Sequence, residues 1–327
     1  MKACPWRSIA IAALVLTAIS CGAPGSKPVV SPVVATPAPG VLPFEDVTFI
    51  SPNEGWALIL NETTQAVEVA HSVDGGATWS TPAKVAPFRM TEGEGVSHFG
   101  VRFTSSRVGW VFGQGIFATA DGGQTWIDTG VTANVLDLAT VGEVVWAITG
   151  CDPRFSSCPV SFLVWDGTAH RWNPMRHQPP VTSGPLHLIP TSARRAFVVQ
   201  GTQFDTRLVQ TDDGGVTWST LATPCPHGIG LNVATLDGAH LWMVCSGEPG
   251  AGNQEKAVFT SSDGGGTWSL RARDRWAVAV GTITTAGYTQ DVALASSTTG
   301  FHDDEPGRPV PQHRWRRHLG RVRYQRG

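Results

Sequence analysis

The residues of this 327-residue chain best placed to do chemistry are aspartates that stand before paired glycines: Asp74, Asp121, Asp213 and Asp263. An Asp followed by Gly-Gly supplies a carboxylate for backbone N–H groups inside a tight turn, and two positions free to take positive φ. That is hydrogen-bonding chemistry rather than acid–base chemistry. His98, His187 and His240 stand isolated and read as turn or strand residues. The tyrosines are Tyr288 and Tyr324 only, and no pair of carboxylates has a spacing that names a catalytic set. The cysteines offer a second chemistry. Beyond Cys4 and Cys21, Cys151 and Cys158 are seven apart, and Cys225 and Cys245 are twenty apart. An even count in an exported chain predicts disulfides; three pairings are possible, and nearest-neighbour pairing, one bridge in each of two successive repeats, is the expectation. Zinc is disfavoured because neither C-x-x-C nor H-x-x-x-H accompanies them, so no metal or other cofactor is expected.

The aspartates belong to one recurring unit, [S/T]-x-D-G-G-x-T-W. It appears at Ser72–Trp79, Thr119–Trp126, Thr211–Trp218 and Ser261–Trp268, so that Trp79, Trp126, Trp218 and Trp268 close the four copies. A decayed copy, Trp165-Asp166-Gly167-Thr168-Ala169-His170-Arg171-Trp172, keeps Asp166 and the Gly and has its Trp one place late. The steps from Asp to Asp are then 47, 45, 47 and 50 residues. A period of that length is the signature of propeller blades of four short strands. Between the units runs a second phrase, an apolar strand, a polar turn and a Gly-Trp start to the next strand. Val47-Thr48-Phe49 with Gly55-Trp56, and Val101-Arg102-Phe103 with Gly109-Trp110, are the clearest cases; Leu136-Asp137-Leu138, Leu186-His187-Leu188 and Leu231-Asn232-Val233 are weaker echoes. Each blade therefore reads strand, turn, strand, loop, strand, hairpin, strand, and the tryptophans, recurring at fixed places, are expected in the core between blades.

Together these phrases resemble the Asp-box (BNR-type) propellers and, within them, the photosystem II assembly and stability factor-like group of exported bacterial proteins. The likeness covers Phe44 to Ser296. It implies an all-β propeller of four-stranded blades, six or seven in the intact family fold and about five in frame here. It also implies that the box residues are structural turns. Sialidases share the repeat, but their chemistry needs a Tyr nucleophile with a Glu partner, an Asp acid and an Arg triad. The R-I-P-like motif of that group is missing, the nearest phrase being Pro87-Phe88-Arg89-Met90. The expectation is a non-catalytic binding or assembly scaffold with a protein or glycan partner. The alternatives are an exo-sialidase-type glycoside hydrolase and a carbohydrate-binding propeller.

The flanks differ from the repeats. Lys2 and Arg7 precede an apolar run from Ile9 to Ile19 that suits a signal-peptide core. It ends in Ala18-Ile19-Ser20-Cys21, which resembles a bacterial lipobox with Cys21 as the lipidated residue. Residues 1–21 are thus expected to direct export and to anchor the chain as a cell-membrane lipoprotein, ordinary secretion being the alternative. Residues 22–43, rich in Pro, Ala, Val and Ser, read as an extended tether, and 44–300 as the propeller. The formal charge of −2 and the absence of a basic face argue against nucleic acid. Binding is expected on the irregular inserts 86–100, 149–159, 171–185 and 245–256, at Arg154, Phe155, Arg171, Trp172 and Glu248. Two of these inserts contain cysteines, so disulfides are expected to stiffen them.

Residues 301–327 break the pattern and hold seven arginines. His313 to Gly320 can be written CAC CGA TGG CGG CGC CAC CTG GGA, which one base later reads Thr-Asp-Gly-Gly-Ala-Thr-Trp. The recovered Asp falls about one blade period after Asp263, so the tail is expected to be a blade read out of frame.

Overall fold

The computed structural model describes residues 44–61, 64–85, 99–150, 159–182, 185–201, 206–225, 230–273, 281–282, 288–296, 299–305 and 319–323. The signal and tether segments, Cys21, Cys151, Cys158, Arg154, Phe155, His98, Tyr324 and most of the arginine-rich tail lie outside them. The chain divides into two units, Met1–Val41 and Leu42–Gly327, of which only the second contains described residues.

Among those residues every regular element is a strand. The first sheet is β1 (Phe44–Phe49), β2 (Gly55–Asn61), β3 (Ala66–Ser72) and β4 (Ala83–Lys84), hydrogen-bonded in that order. The second runs β5 (Gly100–Phe103), β6 (Gly109–Gly113), β7 (Gly115–Thr119) and β8 (Ile127–Asp128). In the third, β9 (Val135–Val141), β10 (Val144–Thr149), β11 (Ser161–Asp166) and β12 (Arg171–Pro174) repeat the meander. The fourth is β13 (Leu186–Pro190), β14 (Ala196–Gly201), β15 (Thr206–Thr211) and β16 (Ser219–Leu221). The fifth, β17 (Gly230–Thr235), β18 (Leu241–Ser246), β19 (Lys256–Ser261) and β20 (Ser269–Arg273), gains a two-residue parallel strand, β21 (Gly281–Thr282). A sixth sheet has three strands, β22 (Tyr288–Ser296), β23 (Thr299–Glu305) and β24 (Leu319–Arg323).

Both sequence phrases have a local physical cause. Phe49 pairs with Gly55 and Phe103 with Gly109 across the first hairpin. A Cβ on either glycine would stand 2.5 Å from the opposing ring, so the glycine is what lets the aromatic lie flat over its partner strand. The tryptophan that follows then turns into the space between sheets. Trp56 is fully buried and stacks on Phe103 of the next sheet at 3.8 Å, and Trp110, Trp146 and Trp242 are 2–4% exposed.

The core is accordingly distributed between sheets. Trp56, Leu58, Val101 and Phe103 join the first two. Trp110, Phe112, Val135 and Leu138 join the second and third, and Trp146, Phe162, Leu186 and Leu188 the third and fourth. Phe197, Leu208, Leu231 and Met243 join the fourth and fifth, and Trp242, Val244 and Val292 the fifth and sixth. A sheet with two apolar faces needs a neighbour on each side, which is why a large buried aromatic, Trp56, Trp110, Trp146, Phe197 or Trp242, recurs once in each of the first five sheets.

Candidate binding site

The four full copies of the repeat form the hairpins β3–β4, β7–β8, β15–β16 and β19–β20, and their geometry is the same each time. In the first, the Ser72 hydroxyl donates to Asp74 Oδ1 at 2.9 Å and accepts from the Gly76 N–H at 2.9 Å. The Thr78 N–H donates to Oδ1 at 2.8 Å and its hydroxyl to Oδ2 at 2.6 Å. The first glycine, Gly75, sends its N–H to Asn53 O in the loop between β1 and β2. That tie needs Gly75 and Gly76 at φ +73° and +83°. The carboxyls of Asp74, Asp121 and Asp213 are lowered to about 2, first by the hydroxyl and then by the amide of the following Thr. Asp263 is also held at about 2, there chiefly by the Thr267 amide. A carboxylate so committed is a poor proton donor at neutral pH, so these groups are turn staples rather than acids.

The decayed copy folds differently. Asp166 sits at the end of β11 opposite Arg171, and Trp165 opposite Trp172. Asp166 Oδ1 accepts the N–H groups of Thr168 and Ala169 at 3.0 Å each, which lowers its carboxyl, the Ala169 amide being the main cause. Arg171 and Trp172 therefore lie on the regular strand β12, not in an irregular insert, and Trp172 packs 5.4 Å from Trp165. Glu248 is exposed in the β18–β19 loop of the fifth sheet. The candidate residues that can be placed are thus split between two sheets.

Cys225 and Cys245 form a disulfide. The pairing is the expected one, but its place is not. Cys245 is buried in β18, and Cys225 follows β16 on the way to the fifth sheet. The bond fastens one sheet's exit to the next sheet's second strand, so it does not stiffen the 245–256 insert.

The first strands carry the concave feature. They are mutual neighbours, β1 with β5, β5 with β9, and β9 with β13. A cavity of about 210 Å³ opens among them, lined by Arg102, Asp137, His187 and Asn232 with Leu188 and Val233. Asp137, His187 and Asn232 occupy the same register, each two residues before the position paired with its sheet's buried aromatic, Trp146, Phe197 or Trp242. Asp46 holds that register in β1.

A first strand has hydrogen-bonding partners on one side only, and side chains cover part of its other edge. Asp46 accepts the Val101 N–H at 2.9 Å, and Asp137 accepts the Leu188 N–H at 2.7 Å. Arg102 donates to Asp46 at 2.5 Å and to Val101 O at 2.8 Å, and lies over the Phe112 ring. His187 Nδ1 is 4.0 Å from Asp137, with the side chain 63% exposed. The cavity thus offers an imidazole, an amide and strand-edge backbone around one committed carboxylate, with the Arg102 guanidinium in its lining already paired with Asp46. Reading His187 as an isolated strand residue missed this grouping. Its signal was present in Val-Arg-Phe, Leu-Asp-Leu, Leu-His-Leu and Leu-Asn-Val, a polar residue at the centre of each apolar first strand. His240 is a turn residue, 2.7 Å from Asp237. Among the described residues no three His, Cys, Asp or Glu side chains gather as metal ligands would.

No family model and no curated protein matches the chain. Solved structures do. YCF48 bound to a D1 peptide superposes with a TM-score of 0.51 at 19% identity, covering 81% of this chain and 75% of that one. The GH74 xyloglucanase from Xanthomonas campestris gives 0.56 at 14% identity over 81% of this chain, which spans only 44% of the xyloglucanase. Hydrazine synthase from Kuenenia stuttgartiensis gives 0.53 at 12% identity, covering 83% and 77%. At such identities the likeness is one of architecture, and with the six successive sheets, each built on an antiparallel meander, it establishes that this chain has the β-propeller fold.

Proposed function

We propose that the chain is a non-catalytic scaffold, held outside the cytoplasm by a lipid on Cys21 and a Pro-rich tether, that captures an extended segment of a partner protein at the first-strand cavity. The observation that carries this reading is the lining. His187 and Asn232 stand beside strand-edge backbone, a set suited to the carbonyls and amides of a peptide, with Arg102 held next to them by Asp46. The YCF48 structure, a propeller holding a peptide, is consistent with it. Glycoside hydrolysis by the usual route needs two carboxylates flanking the scissile bond. Among the described residues the cavity lining contains one, Asp137, and it already accepts a backbone N–H.

The test replaces His187 and Asn232 together by Ala in the tethered protein and follows partner capture by crosslinking on membranes. Capture is expected to fall at least about tenfold, the loss of ~1.4 kcal/mol or more that two polar contacts supply. Substitution of Gln124, on the repeated hairpin, is expected to leave capture unchanged. Hydrolysis of sialoside or xyloglucan that vanishes in Asp137→Asn would overturn the reading in favour of an enzyme. For the tether, a fatty-acid label is expected on the wild type and not on Cys21→Ala.

A further inference from the structure

The first strands share a register that exposes one anomaly. Each contains a residue opposite the position just after the sheet's aromatic: Val47 opposite Ala57, Val101 opposite Val111, Leu138 opposite Ala147, Leu188 opposite Val198, and Val233 opposite Met243. In the sixth sheet Val292 stands opposite His302. From the second sheet to the sixth these residues are 0, 0, 6, 8 and 7% exposed, because the preceding sheet covers them. Val47 is 46% exposed, and Phe49 beside it 44%. The first sheet carries the apolar face of an interior blade, and among the described residues no neighbouring sheet covers it.

The sixth sheet begins as the others do. Leu294 pairs with Gly300, and Phe301 follows, in the register of Phe103, Gly109 and Trp110. In the second, fourth and fifth sheets the repeated Asp comes 12, 17 and 22 residues after the position of that glycine (Gly109 to Asp121, Ala196 to Asp213, Leu241 to Asp263). Counted from Gly300, the window is 312–322. The shifted-frame Asp falls at 314. Extending the shifted reading one codon upstream, Gln312 written CAG followed by His313 gives Ser, so the whole unit Ser-Thr-Asp-Gly-Gly-Ala-Thr-Trp emerges. Its first glycine has no codon freedom, because Trp315 has one codon.

We infer that the seat formed by Val47 and Phe49 belongs to a ring-closing blade encoded by the same gene one base out of the frame that specifies residues 306–327. Its occupant is an antiparallel sheet of this repeat with an apolar face, not a second copy of the chain. This inference does not depend on the proposed function.

Two measurements test it. Sequencing of the gene is expected to show CAG for Gln312, CGA or AGA for Arg314, CGG or AGG for Arg316, CAC for His318, and CTG or TTG for Leu319; another codon at Arg314 or Leu319 overturns the inference. The second uses Val47→Asp in the full chain and in a full chain with the frame restored by one base. In the present chain the folding equilibrium is expected to change by less than about threefold, as at an exposed site. In the restored chain it is expected to fall by more than about a hundredfold, as when an unpaired charge is buried. Equal small effects in both chains would overturn it. So would a present chain that dimerises and loses its dimer on Val47→Asp, which would make a second copy the occupant.

Discussion

At the scale of single residues, two tryptophans in the same place have different surroundings. The Trp56 indole N–H donates to Gly122 O, a carbonyl of the next sheet's repeated hairpin, at 3.1 Å. Trp110 is one sheet further on, and its next hairpin is the decayed one. There the ring of Trp165 stands 6.3 Å away, and the Trp110 Nε1 is buried without an acceptor among the described residues. Trp→Phe removes the same part of the ring at both sites, so the difference isolates the hydrogen bond. Trp56→Phe is expected to destabilise by about 1–2 kcal/mol more than Trp110→Phe, since it strands Gly122 O while the other removes an unsatisfied donor. Urea unfolding of the two variants measures this, and equal losses would contradict it. The burial of both rings follows from their recurrence in sequence. The unpaired N–H was not legible, because it depends on a turn 58 residues further along the chain, whose second glycine has become Thr168.

At the scale of elements, the hairpins were readable because glycine and aspartate act locally, whereas the disulfide's place was not. A spacing of twenty residues says that two cysteines are near in the chain, but not that Cys245 lies inside a strand. In the structure the bond closes the fourth-to-fifth connection. For a loop of that length, the double variant Cys225→Ala, Cys245→Ala is expected to lose about 2–4 kcal/mol. Alanine avoids burying a hydroxyl in the cluster with Met243 and Leu231. Chemical reduction of the wild type should lower the urea midpoint by a similar amount. If the variant fell and reduction did nothing, packing at Cys245 rather than the link would be the cause. The same limit explains β12. Arg171 and Trp172 looked like the start of a long irregular insert because their hairpin has lost its paired glycines, yet strand pairing with Asp166 and Trp165 carries on through them.

At the scale of the whole molecule, the period fixes the kind of sheet but not the number, since the sixth sheet has no in-frame copy of the repeat, and the cavity arises only when several first strands meet. A lone polar residue in an apolar strand has no visible purpose until its counterparts are brought beside it. The repeat has a collective consequence for stability. Asp74, Asp121, Asp213 and Asp263 each titrate near 2 in the fold against 3.8 unperturbed. A carboxyl lowered by folding binds its proton more tightly in the unfolded chain, so its contribution is complete above pH 3.8 and disappears as the pH falls towards 2. The melting temperature should therefore show no dependence on these four groups from pH 5 to 7. It should then drop steeply, with the unfolded chain holding ~3 more protons than the fold near pH 3. Thr78, Thr125 and Thr217 supply the largest part of the shift through their hydroxyls, and Thr267 contributes through both hydroxyl and amide. Thr→Val at all four positions removes the hydroxyls and keeps the amides, so the slope between pH 4 and 2 should become shallower while the plateau above pH 5 stays level. A slope unchanged by the four substitutions would mean that acid unfolding is governed by carboxylates outside the repeated hairpins.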